Sequence, residues 1–263
     1  MNKHMFAVCA YKESPYLEEC ILSLKNQSTP SPVIVCTSTP NPQIETLCQR
    51  YALRLSINKG SGGIDGDWND TLAEADAEYV TLCHQDDIYE PLYSEKIKRE
   101  IERNDEHLIL FTDYMELKNG KKVAGSKLLN IKRLLLWPLY FKPFQGLRFM
   151  KRMALRFGNA ICCPSVTYHR TILPLPLFEK KFKSNLDWQT WEKLSKQQGT
   201  FTYIRQKLMC HRIHEESTTS ELIRDNQRTA EDEAVFRLFW PKGIAKALAK
   251  IYASSEKENN SGL

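Results

Sequence analysis

Aspartate and glutamate are absent from residues 117–178, although the whole chain of 263 residues contains 32 of them. We call this stretch the acid-free segment; it carries 12 lysines and arginines. Residues 1–116, in contrast, carry 20 acids and 10 basic residues, and residues 179–263 carry 12 acids and 15 basic residues. Such segregation marks a distinct functional segment and favours an anionic partner. No motif of an RNA- or DNA-binding module accompanies the charge, so we expect no nucleic-acid partner.

Paired cysteines and long apolar runs are missing as well. The eight cysteines form no CxxC pair, and several lie within apolar strand-like runs, which indicates buried free thiols in a reducing compartment. No apolar run approaches the roughly 18 residues of a membrane span, and the N-terminal run is too short for a signal peptide. These absences predict a cytoplasmic protein that is at most peripheral to the inner face of the cell membrane.

The glycine-rich loop at 58–66 matches neither of the common phosphate-binding patterns. It reads NKGSGGIDG, which is not GxGxxG and not GxxxxGK[ST], and it follows the third predicted strand rather than the first. This argues against a dinucleotide-binding fold and against a P-loop enzyme.

Apolar strand-like runs alternate with helical patterns through residues 1–116. The predicted strands lie at 5–11, 32–38, 53–57, 78–83 and 107–117, with helices between them. This alternation is typical of an α/β fold in which a mostly parallel central sheet is flanked by helices. After a predicted hairpin turn at Asn119-Gly120 the alternation stops, and a basic helical insertion and a C-terminal helical segment follow.

Within the acid-free segment, two helices are predicted at 127–137 and 146–157. A helical wheel of the second helix separates two faces. The basic face holds Arg148, Lys151, Arg152 and Arg156; the opposite face holds Leu147, Met150, Met153, Ala154 and Phe157. Three interpretations of residues 127–158 remain open: contact with an anionic membrane surface, binding of an anionic glycan, or a packed helix whose cations are solvated.

The sequence HQDD, residues 84–87, follows the buried strand predicted at 78–83. Two adjacent carboxylates, Asp86 and Asp87, would repel an anionic ligand, but a hard divalent cation such as Mg²⁺ or Mn²⁺ takes oxygen ligands and reverses the charge. The carboxyl end of a parallel strand is also where α/β sheets bind ligands. The alternative is that one aspartate merely caps the helix that follows.

Taken in order, these features resemble the family 2 glycosyltransferases with the glycosyltransferase-A fold. The matching pieces, which extend over residues 5–220, are AYKES at 10–14, the helix YLEECILSLKNQS, the loop GSGGIDGDWN, the HQDD motif, Asp187-Trp188 at a helix start, and HRIHEEST at 211–218. The resemblance implies an inverting transfer from a nucleotide sugar, expected to be a UDP-sugar, with Mn²⁺ or Mg²⁺. The acceptor would be a hydroxyl of a cell-surface glycan or a lipid-linked molecule.

The resemblance also divides the chain. Residues 1–116 would bind the nucleotide sugar, residues 117–220 would form the acceptor side with the basic segment 127–158, and residues 221–263 would be a helical extension with a disordered tail. Two rival functions remain: a sugar nucleotidyltransferase, and a non-catalytic glycan- or membrane-binding module on the same fold.

The resemblance assigns roles to individual residues. Asp187 would be the general base for the acceptor hydroxyl, with a helix N-cap as the alternative. The metal ligands would be Asp86, Asp87 and His214, the last also a candidate phosphate contact. His84 departs from the family's Asp-x-Asp pattern, and three roles remain open for it: a ligand of Mn²⁺, a hydrogen-bond partner of a phosphate or sugar, or a residue that orients Asp86. No acid follows the second strand, where the family usually has one.

The remaining assignments are less specific. The predicted donor-binding residues are Ala10, Tyr11, Glu13, Thr37, Asn58, Gly63, Asn69, His84, Gln85, Arg212 and Ser217. The predicted acceptor-side residues are Asp113, Trp188 and Trp191, and either tryptophan could equally belong to the core.

Overall fold

The computed structural model describes residues 2–60, 62–214 and 227–260. The strands are β1 Asn2–Ala10, β2 Val33–Thr37, β3 Arg54–Ile57, β4 Ala77–His84, β5 Ile88–Tyr89, β6 His107–Lys118, β7 Lys121–Val123, β8 Val166–His169 and β9 Thr200–Ile213. The α-helices are α1 Leu17–Lys25, α2 Pro42–Arg50, α3 Ile64–Glu74, α4 Tyr93–Arg103, α5 Lys127–Leu135, α6 Arg148–Leu155, α7 Leu186–Leu194, α8 Gln227–Phe236 and α9 Lys242–Asn260.

The strands form one sheet in the order β3-β2-β1-β4-β8-β6-β9-β5, and β7 pairs with β6. β1 to β4 are mutually parallel, and β9 runs parallel to β6. β8 lies antiparallel between β4 and β6, so β6 and β4 run in the same direction. The α/β class with a mostly parallel sheet is confirmed, and the carboxyl ends of β1, β2, β3, β4 and β6 meet at one edge.

Alternate residues of the central strands pack into two cores. On β1, Phe6 and Val8 join a core with helices α1 and α4, whereas Ala7 faces the core that contains α3 and α7. The helix starts follow local sequence chemistry: at α2, the Asn41 side chain accepts a hydrogen bond from the backbone N–H of Ile44, and Pro42 is the first helical residue.

The predicted free thiols are confirmed: all eight cysteines are unpaired, and seven of them are buried. Among the described residues, no helix is both long enough and apolar enough to cross a membrane. The sequence predicts a disordered tail from Ser254, and this start is wrong because α9 continues to Asn260. Ser217 and the predicted start of the last charged helix lie outside the described residues.

Of the three interpretations of residues 127–158, a packed helix with solvated cations does not hold for three of the four basic residues at 148–156. Lys151 is completely buried, and its Nζ donates hydrogen bonds to the carbonyl oxygens of Gln197 and Gly199, at 2.7 and 2.8 Å. Arg152 pairs with Glu192, and the Arg156 guanidinium lies 3.6 Å from the centre of the Trp240 ring. These contacts hold the three cations against the protein. Their partners all follow α6 in the chain.

Candidate active site

The end of β4 and the end of β9 bring Asp87 against two residues of the HRIHEEST sequence. β5 pairs antiparallel with β9, with Ile88 opposite Cys210, so the preceding Asp87 lies beside His211. The completely buried Asp87 carboxylate accepts a hydrogen bond through Oδ1 from the backbone N–H of Arg212, at 2.9 Å, and lies 3.0 Å from His211 Nδ1. A helix-capping role does not account for these contacts.

His84, Asp86 and Asp87 form a cluster that fits a divalent cation. One ligand atom from each of the three lies within 4.8 Å of the others. Asp87 Oδ2 and His84 Nε2 are buried and have no hydrogen-bond partner among the described residues. Buried polar atoms are normally satisfied, so unpaired oxygen and nitrogen lone pairs at one point indicate a place for a cation. Two carboxylates and an imidazole are also a donor set that Mn²⁺ accepts.

Histidines and an arginine surround Asp86. His214 Nε2 lies 3.0 Å from Asp86 Oδ2, and Arg212 Nε donates to the Asp86 backbone oxygen at 2.8 Å. Burial raises the pKa of Asp86, but the hydrogen bond with His214 and the charges of His84, His211 and His214 outweigh it, and the pKa lies below its ordinary value. Asp86 is therefore an ionised carboxylate at neutral pH.

His211 is the complementary cation. Burial lowers its pKa, but the charge of Asp87, the hydrogen bond to it and the charge of Asp86 prevail, and the pKa lies above the ordinary value. The two aspartates thus favour the protonated form of His211.

Trp68 and Asn69 of α3 border the cluster in different ways. The Trp68 indole stacks on the His84 ring with centroids 5.2 Å apart. The Asn69 amide instead holds a loop: Oδ1 accepts from the backbone N–H groups of Leu177 and Phe178, and Nδ2 donates to the Phe178 oxygen. Sequence reasoning did not single out Trp68, although its position next to Asn69 in the glycine-rich motif was a usable signal.

The predicted donor-binding residues on the first two strands differ in accessibility. Gln85 hydrogen-bonds both the backbone N–H and the carbonyl of Tyr11, each at 2.9 Å, and the Tyr11 side chain is half exposed. Glu13 is exposed, whereas Ala10 and Thr37 are buried. The Thr37 side chain is turned inward, where its Oγ1 accepts from the backbone N–H of Thr39.

A carboxylate lies beside the end of β2 after all, supplied by α3. Asp67 accepts hydrogen bonds from Ser38 Oγ at 2.9 Å and from Asn58 Nδ2 at 3.0 Å. Gly63, the residue before α3, has φ of 88°, a conformation that favours glycine, and it allows the chain to turn into the helix here. Sequence reasoning missed Asp67 because it looked for the acid directly after the strand.

Asp187 lies in the first turn of α7 and is buried. Asn159 Nδ2 donates to its Oδ2 at 3.0 Å, and the backbone N–H of Trp188 donates to its Oδ1 at 2.7 Å. Burial raises its pKa above the ordinary value, against the opposing effects of these hydrogen bonds and of the charges of Arg228 and His84. The N-cap of α7 is Asn185, so Asp187 is not the cap.

Helix α8 fixes the segment that leads into α7. The Glu231 carboxylate accepts hydrogen bonds from the backbone N–H groups of residues 183–185 and from the Ser184 hydroxyl. The buried Asp232 accepts a hydrogen bond from Asn185 Nδ2 at 2.8 Å. These two acids lie more than 40 residues from their partners, and no local sequence pattern pointed to them.

The predicted acceptor-side residues are not open to a ligand. Trp188 and Trp191 are completely buried, and the Trp188 indole packs against Phe236, so the core interpretation is correct and neither ring offers a face to a sugar. Asp113 is buried, and Arg133 Nε lies 3.2 and 2.9 Å from its two carboxylate oxygens. Its charge is thus paired within the protein.

Known proteins share this architecture. The model of the family "Glycosyl transferase family 2" matches residues 6–169. An uncharacterised glycosyltransferase of Haemophilus influenzae is 24% identical over 237 residues, which are 85% of this chain and 69% of that protein. The crystal structure of S. aureus TarS 1–349 in complex with UDP-GlcNAc has a TM-score of 0.63 at 16% identity, over 94% of this chain and 70% of that one.

A second similar structure is glucosyl-3-phosphoglycerate synthase from Mycobacterium tuberculosis in complex with Mn²⁺ and UDP-glucose. Its TM-score is 0.60 at 12% identity, over 91% of this chain and 80% of that one. At these identities the two solved structures establish a shared fold.

Proposed function

This chain belongs to glycosyl transferase family 2 and is a glycosyltransferase, and we propose that it moves a sugar from a UDP-sugar to an acceptor hydroxyl with inversion at the anomeric carbon. The observation that carries this proposal is that the protein holds two carboxylate sites with different environments. The cluster of His84, Asp86 and Asp87 retains unpaired buried ligand atoms, whereas Asp187 is a buried carboxylate with a raised pKa.

On the donor side, we propose that Mn²⁺ or Mg²⁺ is held by Asp86 and Asp87 together with His84, and that His214 is a further ligand or a phosphate contact. When bound, the cation supplies positive charge that stabilises the departing diphosphate. Arg212 would add a second positive charge beside the Asp86 backbone, where its guanidinium also lies 4.3 Å from the centre of the Tyr16 ring.

On the acceptor side, Asp187 is the proposed general base. The acceptor oxygen forms a bond to the anomeric carbon while the bond from that carbon to the diphosphate oxygen breaks, and UDP departs with the electron pair. The proton of the acceptor hydroxyl passes to Asp187, whose raised pKa makes it a better proton acceptor than an ordinary aspartate. Asn159 would hold the carboxylate in position through Oδ2.

For the nucleoside, the proposed contacts lie at the ends of β1 and β2. Tyr11 and Glu13 are exposed there, and Asp67 places a carboxylate beside Asn58. TarS and the mycobacterial synthase were crystallised with UDP-GlcNAc and UDP-glucose, which supports a UDP-sugar as the donor for this chain as well. Ala10, Thr37, Gly63, Asn69, Gln85 and Ser217 remain predicted donor-side residues, and Asp113 remains a predicted acceptor-side residue.

The proposed acceptor is a hydroxyl of a cell-surface glycan or of a lipid-linked molecule, and the enzyme would act at the inner face of the cell membrane. The acid-free segment supports an anionic acceptor environment because it contributes no negative charge to this side of the molecule.

The proposal is tested by screening nucleotide sugars for thermal stabilisation in the presence of Mn²⁺, followed by measurement of UDP release. We expect one or more UDP-sugars to stabilise the protein and to be turned over. Asp86→Ala and Asp187→Ala should abolish turnover, whereas Asp76→Ala should not, since Asp76 is exposed at the opposite end of β4. Absence of binding and turnover for every nucleotide sugar with either metal would refute the proposal.

A further inference from the structure

Large apolar side chains are exposed in one part of the acid-free segment. Seven of them, each between 41% and 70% exposed, occur within 27 residues: Ile131, Leu134, Trp137, Phe141, Leu147, Phe149 and Phe157. We call these residues the apolar surface. The Trp137 and Phe141 rings lie next to each other, with centroids 6.5 Å apart, and exposed apolar side chains grouped on a protein surface mark sites of contact with a membrane or a partner.

Three of the four cations in residues 148–156 are engaged by other parts of the protein. Lys151, Arg152 and Arg156 are engaged by Gly199, Glu192 and Trp240, as described above. Arg148 stays exposed in the middle of the apolar surface, and Lys127 is exposed at the start of α5. The exposed residues of this segment are thus apolar side chains and a few cations, one of which, Lys142, pairs with Glu100 of α4 at 2.9 Å.

Helix α9 adds further exposed apolar and basic side chains. It packs against the segment through Tyr252, whose ring lies next to Gly158, and the preceding Trp240 ring lies 5.4 Å from that of Phe157. Ile244 and Ile251 are exposed on α9, together with Lys242, Lys246 and Lys250. Residues 234–255 contain no acid.

From these observations we propose that the apolar surface and the outer face of α9 dock on an anionic lipid bilayer, with Phe141 and Phe149 entering the headgroup region. Aromatic and aliphatic side chains beside lysines and arginines are the composition that interfacial binding requires. A symmetric dimer through this surface would bring its exposed cations, Arg148 and the lysines of α9, close to those of the second copy, which is unfavourable.

Docking at this surface would place the proposed base near the membrane, since Phe157 of the apolar surface is two residues before Asn159, which donates a hydrogen bond to Asp187. Helix α5 carries Leu134 on the exposed side, while Arg133 of the same helix pairs with Asp113, and the charge of Lys132 reaches His211. The inference rests on the proposed function only in this respect: a lipid-borne acceptor hydroxyl would arrive on the side where the transfer takes place.

Vesicle co-sedimentation tests the docking directly. The full chain is mixed with vesicles of phosphatidylglycerol and phosphatidylcholine, or of phosphatidylcholine alone. We expect binding to the anionic vesicles that weakens as salt is raised. The double variant Phe141→Ala/Phe149→Ala should bind at least about tenfold more weakly, because the two aromatic side chains that would enter the headgroup region are lost. The matched control Leu22→Ala/Leu92→Ala removes two exposed apolar side chains outside the segment and should bind like the wild type.

Three results would overturn the docking proposal. These are no binding to anionic vesicles, equal binding by the Phe141/Phe149 variant, and a dimer in sedimentation velocity that this variant converts to a monomer without any vesicle binding. UDP release measured on the same samples keeps the two proposals apart. Vesicle binding without turnover of any UDP-sugar would refute the transfer reaction and leave the docking proposal intact. Turnover without vesicle binding would refute the docking proposal and leave the transfer reaction intact.

Discussion

The carboxyl edge of the sheet and the acid-free segment differ in whether their buried charged groups have partners. At the edge, Asp87 keeps a buried carboxylate oxygen without a partner among the described residues, and His84 does the same with a ring nitrogen. In the acid-free segment, the buried ammonium group of Lys151 has two backbone acceptors, and Arg152 has a carboxylate. A buried carboxylate oxygen without a partner is available to a cation, whereas the paired cations Lys151 and Arg152 stabilise the fold.

The largest effect on turnover should come from Asp187, on which the charge of His84 acts, and the stability of the protein should change little. Asp187→Asn removes the proposed base while keeping the shape of the side chain, and turnover should fall by about 10² to 10⁴-fold. Binding of UDP with Mn²⁺ and the melting temperature should change little. Steady-state kinetics of UDP release measures the effect, with the exposed Asp76→Asn as the control. Wild-type turnover by Asp187→Asn would remove this residue from the chemistry.

A substitution of Lys151 in the acid-free segment should instead lower the stability of the protein. Lys151→Met leaves the carbonyl oxygens of Gln197 and Gly199 without their buried donor, at a cost of about 2–4 kcal/mol in the free energy of unfolding. Urea denaturation measures this cost. Arg148→Met on the same helix should lie within about 0.5 kcal/mol of the wild type, because Arg148 is exposed. Equal stability of the two variants would mean that the buried ammonium group has no structural role.

The smallest effect is a displaced pH profile. The Asn159 amide stabilises the ionised form of Asp187, so Asn159→Ala should raise the pKa of Asp187 further. A general base acts when deprotonated, and the acid limb of the kcat/KM profile should therefore move to higher pH. Asn26→Ala, an exposed asparagine after α1, serves as the control. An acid limb that moves to lower pH, or not at all, would contradict the assignment of that limb to Asp187.

The contrast between the two regions also explains which predictions from sequence succeeded. Because α/β sheets bind ligands at the carboxyl ends of parallel strands, the strand pattern predicted a ligand site at residues 84–87, and the structure pairs His84 with Cys9 near the end of β1. Asp67, Glu231 and Asp232 escaped prediction, since each contacts residues distant in the chain and follows no local pattern.

In the acid-free segment, a helical wheel identifies which side chains share a face, but not which face meets the protein. That depends on Glu192 and Trp240, which follow α6 by many residues. Trp188 and Trp191 show the same ambiguity: their spacing fits a sugar platform and a core equally well, and only the packing against Phe236 and its neighbours decides.

The central claim is that the cluster at the end of β4 binds the donor through a cation while Asp187 acts separately on the acceptor. Calorimetric titration of UDP in the presence of Mn²⁺ tests it most directly, with the wild type, Asp86→Ala and Asp187→Asn compared. We predict binding by the wild type and by Asp187→Asn with the same affinity, and weakening on the order of tenfold or more for Asp86→Ala. Equal affinity of Asp86→Ala and the wild type for UDP, or binding that does not depend on Mn²⁺, would contradict the account.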